Sequence, residues 1–270
     1  MPSPLVLRSL GTGLAGPGLG SGGDGGDPQF GYTVSITAPA QTTTPKFTFG
    51  AGAPAAVVDW GDGSPTSAVT SDVELTHAYA NIGTYTVTLR AAQQSKYLTK
   101  LDISTDRATT LINLHNMASL KELRSAFNVA SLAVAVSGLP AGLTVLSCYG
   151  GSNAITGPVS GLPSNVVTVK WYGASNAPSA GAPPSKVHDI NLANNGLSQS
   201  VVDGILNAMY AARASYTDAT PVLTIGGTNA APSGVYQSVT PPTTGKEAAY
   251  DLVNDPTAQG YKKWTITFTA

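Results

Sequence analysis

Apolar and polar positions alternate most clearly in Tyr32-Thr-Val34-Ser-Ile36 and in Thr84-Tyr85-Thr86-Val87-Thr88-Leu89. This period of two marks half-buried strands, so residues 30–92 read as antiparallel β. Between these runs, Val57-Val58-Asp59-Trp60-Gly61-Asp62-Gly63 reads as a strand entering a tight turn whose glycines permit positive φ. From residue 96 the pattern changes. Leu98-x-x-Leu101-x-Ile103 recurs as Leu120-x-x-Leu123-x-Ser125, Leu143-x-x-Leu146-x-Cys148, Val166-x-x-Val169-x-Trp171 and Val187-x-x-Ile190-x-Leu192, at spacings of 22, 23, 23 and 21 residues. A repeat of this length predicts one short strand per unit, stacked parallel on its neighbours to share a continuous core.

The period breaks after residue 197. Val201, Val202, Ile205, Leu206, Met209 and Tyr210 fall on one helical face, with Ser200 and Asp203 placed to cap its start. Leu223-Thr-Ile225 reads as a strand, residues 247–253 as a short helix, and Trp264-Thr-Ile266-Thr-Phe268 as a final alternating strand. This order predicts an α/β cap over residues 198–270 that continues the parallel sheet and closes its open end.

Composition narrows the chemistry. The 270 residues include 30 glycines and 19 prolines, and only 11% are charged, well under the usual quarter of a globular chain. A net charge of −1 supplies no long-range field for nucleic acid or an anionic membrane. The hydrophobic share of 42% suffices for a core, and the length for more than one domain. A single cysteine, Cys148, excludes a disulfide scaffold and any multi-cysteine zinc site. Residues 1–29 carry nine glycines and cannot bury enough of their own surface to offset the entropy of ordering. They read as an extended arm that a neighbouring chain or the rest of the molecule must hold, through Leu5, Leu7, Leu10, Leu14 and Leu19. Gly11-Thr-Gly13-Leu-Ala-Gly16 matches a dinucleotide fingerprint only formally, since further Gly and Pro exclude the helix that would hold a pyrophosphate. The early apolar patch is short and its only nearby charge, Arg8, comes after it, which is the wrong order for a secretory leader. No apolar run approaches the ~20 residues that span a bilayer.

Two resemblances emerge from these motifs. The combination of Trp60-Gly-Asp-Gly63, His77-Ala-Tyr79 and Gly83-Thr-Tyr-Thr-Val-Thr-Leu89 resembles the PKD type of immunoglobulin-like domain. That likeness implies a small β-sandwich over 30–92, with Trp60 in the core and Tyr79 and Tyr85 beside it. The repeats over 96–197 resemble divergent leucine-rich repeats. The last copy fits best, with Asn195 and Leu197 completing the unit; Asp106, Asn128, Gly151 and Ala174 hold the asparagine place in the others. The expected fold class is therefore multi-domain, β plus α/β: extended arm, PKD-like sandwich, leucine-rich-repeat solenoid with a parallel sheet, and α/β cap.

The same repeats define a candidate binding face. Residues flanking the buried strand positions point outward, which makes Tyr149 and Tyr172 lateral neighbours, flanked by Arg124, Lys170 and Asn191. Tyr and Arg are enriched at binding hot spots, and exposed tyrosines suit stacking on sugar rings; the plainer alternative is an ordinary solvated sheet face. Asp59 and Asp62 read as turn formers rather than calcium ligands, and His77 as a hydrogen-bonding residue rather than a ligand. Cys148 falls at a buried repeat position, as a small core residue. Asp102 and Glu122 lie on adjacent strands but each has a basic neighbour, and Gly150-Gly-Ser152 and Gly173-Ala-Ser175 sit in repeat turns. No catalytic residue, metal site or cofactor is assigned.

Immunoglobulin-like and leucine-rich modules usually serve on surfaces, yet this sequence shows neither leader nor anchor. Thr224-Ile-Gly-Gly-Thr-Asn-Ala-Ala-Pro-Ser-Gly234 and Tyr261-Lys-Lys-Trp-Thr-Ile-Thr267 resemble the ends of repeat domains in phage structural proteins. The expectation is a non-enzymatic virion surface protein of a tailed bacteriophage, a capsid decoration or head spike assembled in host cytoplasm. Its partners would be other virion proteins, reached through the arm, in a multi-copy assembly without nucleic acid or membrane. The alternatives are a tail- or fibre-associated protein that binds host surface glycan, and a bacterial surface adhesin.

Overall fold

The computed structural model describes residues 29–104, 107–126, 132–150, 153–173, 176–218, 220–255 and 258–270. The front of the chain forms β1 (Gly31–Ile36), β2 (Thr42–Thr43), β3 (Lys46–Phe49), β4 (Ala56–Asp59), β5 (Ser67–Ala68), β6 (His77–Ala78) and β7 (Gly83–Ala91). A four-residue helix, α1 (Gln94–Tyr97), leads into stacked coils that alternate between two sheets. Their strands are β8 (Leu98–Asp102), β9 (Ala108–Ile112), β10 (Glu122–Arg124), β11 (Ala133–Ala135), β12 (Val145–Ser147), β13 (Ala154–Pro158), β14 (Thr168–Lys170), β15 (Ala177–Ser179) and β16 (Asp189–Asn191). The chain closes with α2 (Gln199–Ala211), β17 (Val222–Thr224), α3 (Gly245–Asn254) and β18 (Thr265–Thr267). The protein is thus mostly β, with a solenoid-like region of parallel strands.

One eight-stranded sheet runs β18-β17-β16-β14-β12-β10-β8-β3 and the other β15-β13-β11-β9-β1-β7-β4-β5. Within the coils the pairing is parallel and in register, Leu101 beside Leu123, Leu146, Val169, Ile190, Leu223 and Ile266 in turn. The apolar positions of all five repeat copies are buried, Ser125 among them. After β16 the second side of each coil changes from strand to helix. α2 and α3 pack on one another, and Gly204 of α2 lies close against Ala180, just beyond β15.

Both sheets cross the junction at residues 92–96. β3 pairs antiparallel with β8, and β1 antiparallel with β9. Gln94 fastens the same junction from inside: buried, it accepts the Phe30 N–H at 3.0 Å and donates to the Leu89 carbonyl at 2.7 Å. One buried cluster runs from Phe30 to Trp264. A self-contained sandwich over 30–92 would keep its sheets to itself. Here its strands open both sheets of the solenoid.

Two local expectations are corrected. The α2 cap is Ser198, whose side chain faces the Val201 N–H at 3.4 Å. Asp203 instead accepts Ser233 N–H at 2.8 Å and Ser233 Oγ–H at 2.6 Å, tying α2 to the loop before α3. The second correction concerns the asparagines. Asn195 donates Nδ2 to the carbonyls of Trp171 and Leu192 at 2.8 and 2.9 Å, and Asn229 to Leu192 and Ile225 at 2.9 and 2.8 Å. Each amide thus bridges one strand end to the equivalent residue of the coil before. In the middle coils the residues in this column are Asn153, which donates to Ser125 O, and Asn176, whose Oδ1 accepts Ile155 N–H at 2.9 Å. They stand two residues beyond the expected Gly151 and Ala174, which, with Asp106 and Asn128, lie outside the described residues.

The column also has a gap with a chemical cause. Oδ1 of Asn176 takes the N–H of the residue two after Asn153, and Oδ1 of Asn229 takes that of Leu197, two after Asn195. The corresponding donor for Asn195 would be residue 178, a proline without an N–H. Asn195 Oδ1 accordingly has no hydrogen-bond partner among the described residues. Asn229 holds four buried backbone groups, and replacing it by Ala removes the partner of three of them, Asn195 N–H, Leu197 N–H and the Ile225 carbonyl, at about 1–3 kcal/mol each, while the Leu192 carbonyl keeps its bond from Asn195. Asn229→Ala is therefore expected to lower the unfolding free energy by at least about 3 kcal/mol in a denaturant titration.

Candidate functional site

The outer face of the first sheet is organised in rows, because the strands are parallel and in register. One row is Asp102, Arg124, Ser147, Lys170 and Asn191. The next outward position, two residues on in each coil, gives Ser104, Ala126, Tyr149, Tyr172, Ala193 and Gly226. Tyr149 and Tyr172 stack with ring centroids 4.6 Å apart and planes 14° from parallel. That separation matches the ~4.8 Å spacing between strands, so the rings stack along the sheet as two rungs of a ladder. Both rings are half-buried. Burial, and then the neighbouring Tyr149, push the Tyr172 hydroxyl above its ordinary pKa.

The expected neighbours are present but not equivalent. Lys170 and Arg124 are exposed. Arg124 is held by the Glu122 carboxylate, which Lys100 approaches at 4.0 Å. Glu122 is thus occupied by two cations, and Asp102 accepts the Ser104 N–H at 3.0 Å. These contacts suit a surface ion-pair cluster rather than a paired-carboxylate acid–base site. Asn191 accepts the Ala193 N–H at 3.0 Å, which orients its side chain along the face. The residues expected in the arm, Leu5, Leu7, Leu10, Leu14 and Leu19, lie outside the described residues.

At the front, Trp60 is buried, donates Nε1–H to Ser67 Oγ at 2.9 Å and stacks on His77 at 4.7 Å. His77 meets Tyr79 edge-on at 4.6 Å, and Tyr79 stacks on Tyr85 at 4.5 Å. His77 Nε2 lies 2.8 Å from Asp62 Oδ2, while Asp62 Oδ1 accepts the Ser64 N–H at 3.0 Å and Oγ–H at 2.5 Å. Asp59 accepts the Gly61 N–H at 3.0 Å and pairs with Arg90. Gly61, at φ +78°, is required: a Cβ there would stand 2.4 Å from Thr86 O. Both aspartates are committed to turn geometry and partner side chains. Burial opposes ionisation of Asp62, but the Ser64 and His77 hydrogen bonds outweigh it and hold the carboxyl below its usual range.

Cys148 is fully buried beneath Tyr149, and burial pushes its thiol up to about 12. A thiol so rarely ionised is a poor nucleophile. Among the described residues no group of three His, Cys, Asp or Glu side chains is placed to hold a metal ion, and no helix is long and apolar enough to cross a membrane. In comparisons with known protein families, curated proteins and solved structures, the chain matches none.

The sequence held a signal that the leucine spacing passes over. Tyr149-Gly-Gly-Ser-Asn153-Ala and Tyr172-Gly-Ala-Ser-Asn176-Ala are two copies of one turn, 23 residues apart in the chain. Aligning them places both the tyrosine pair and the asparagine column.

These contacts have consequences for stability and reactivity. Asp62 has a lowered native pKa, so its contribution is present above the unfolded carboxylate value and is lost as pH falls through the native one. Asp62→Asn should lower the melting temperature at pH 7, and the difference from the unaltered protein should shrink when both are melted at increasingly acid pH. Cys148 should react with a disulfide reagent only on unfolding, giving a labelling rate in native buffer slower by orders of magnitude than in denaturant.

Proposed function

We propose that this chain is a non-enzymatic structural protein of a tailed-bacteriophage virion surface, a capsid decoration or head-spike protein. The observation that carries this reading is the build of the molecule: a two-sheet solenoid with one regular face lined by Tyr149, Tyr172, Arg124 and Lys170, side chains of the types that recur at binding surfaces. A body with one continuous core and few charges suits repeated display on a particle. In this reading residues 30–92 are a PKD-like unit and residues 96–197 divergent leucine-rich repeats. The Trp60–His77–Tyr79–Tyr85 stack and the buried leucine positions support those assignments. Residues 1–29, rich in Gly with interspersed Leu, supply the anchor to neighbouring virion proteins.

A second reading rests on a separate observation, the stacked tyrosine pair. On a tail or fibre, the same face would recognise host surface glycan. Electron-microscopic reconstruction of purified particles, with this chain located in the map, tests both. Copies following the capsid lattice are the expected result. A few copies at the tail would select the second reading, and absence from the particle would overturn both.

A further inference from the structure

The tyrosine ladder stops after two rungs and gives way to small residues. Beyond Tyr172 the same outward position is held by Ala193 and then Gly226. Both are buried, so they form a floor rather than protruding. One face of the Tyr172 ring is covered by Tyr149, and because the rings stack along the sheet, the other is turned toward this floor. The result is a step in the ladder, a shelf beside the Tyr172 ring where a third rung would stand, bounded beyond Gly226 by the Phe268–Thr269 backbone, which a Cβ at Gly226 would approach to 3.2 Å.

The rim of the shelf is polar and donor-rich. Asn191 uses Oδ1 for the Ala193 N–H, so its Nδ2 hydrogens have no partner among the described residues. Asn194 uses Oδ1 for the Thr228 N–H at 3.1 Å, bridging to the next coil and leaving its own Nδ2 likewise uncommitted. Lys170, exposed and in no ion pair among the described residues, stands beside Asn191 in the register. A ligand for this place needs a flat apolar face for the ring and a periphery of oxygen acceptors for two amides and one ammonium.

We propose that the shelf formed by Tyr172, Ala193 and Gly226, rimmed by Asn191, Asn194 and Lys170, binds one pyranose ring of a saccharide. The C–H face of the sugar stacks on Tyr172, its hydroxyls accept from the two amides, and a carboxylate on the ring is favoured by Lys170. Tyr149 acts behind Tyr172, holding that ring upright rather than touching the sugar. This inference rests on the glycan-binding reading of the tyrosine face and goes beyond it by naming one side of the ladder and the ligand's orientation.

The decisive variant is Ala193→Tyr, which places a third rung in the shelf while keeping both native tyrosines. The full chain, Ala193→Tyr, Tyr172→Ala and Tyr149→Ala/Tyr172→Ala would be titrated by calorimetry with cellohexaose, maltohexaose, hexagalacturonate and oligosialate, with thermal melting as the check on folding. We expect binding to at least one probe, strongest among the acidic ones, reduced about tenfold or more by Tyr172→Ala and equally by Ala193→Tyr. Lys170→Gln should remove the preference for acidic over neutral probes. Binding that survives Ala193→Tyr but is lost in the double tyrosine variant overturns the shelf and leaves the glycan reading standing. Binding indifferent to all the tyrosine changes, or no binding to any probe, overturns both.

Discussion

Everything in this molecule depends on how one coil registers on the next. In the middle coils the strands β10, β12, β14 and β16 are three residues long, far too short to persist alone. They hold because each is covered on two sides at once. Inside, Leu101, Leu123, Leu146, Val169, Ile190 and Leu223 form a continuous buried column. At the strand ends, asparagine amides bond simultaneously to their own coil and the one before. A slip of one residue would turn the apolar column outward and break the amide bridges together, so register is specified twice.

That double specification explains why the front of the chain cannot be read as a detached unit. A parallel stack exposes unpaired strand edges at its first coil, which invite pairing with other chains. Here β3 and β1 cover them, antiparallel, and Gln94 and Phe30 seal the corner between front and solenoid. The far part of the stack uses another device. Proline interrupts the edge strand β15, and α2 packs beyond it, at the expense of one unpaired oxygen on Asn195.

The surface inherits the same register. Tyr149 and Tyr172 meet face to face because they occupy the same place in consecutive coils, at the spacing that the backbone hydrogen bonds impose. The small residues at the corresponding places on either side, Ala126 and Ala193, leave the two rings as a pair within their row. Cys148 and Trp171, one residue earlier, point the opposite way and fill the core. A single alternation along the strand thus separates a buried position from a binding one.

Much of this was legible in the sequence. The buried repeat positions, the tyrosine neighbours and the strand–helix–strand ending come from local periodicity, because burial of one face per coil imposes its period directly on the residues. The role of Asp62 and His77 as turn and hydrogen-bonding residues was legible too, from short-range turn chemistry. The asparagine column was misplaced by two residues because turns differ in length between coils, so a fixed offset from the leucines fails where an alignment of the turns themselves succeeds. The α2 cap was misplaced because Asp203, a good capping residue in isolation, is taken by Ser233, 30 residues away. What only the tertiary structure decided is the union of front and solenoid. The pairing of β1 with β9 joins residues nearly 80 positions apart (Thr33 meets Thr110), and such contacts leave no trace in local pattern, since either strand would read the same whatever lay beside it.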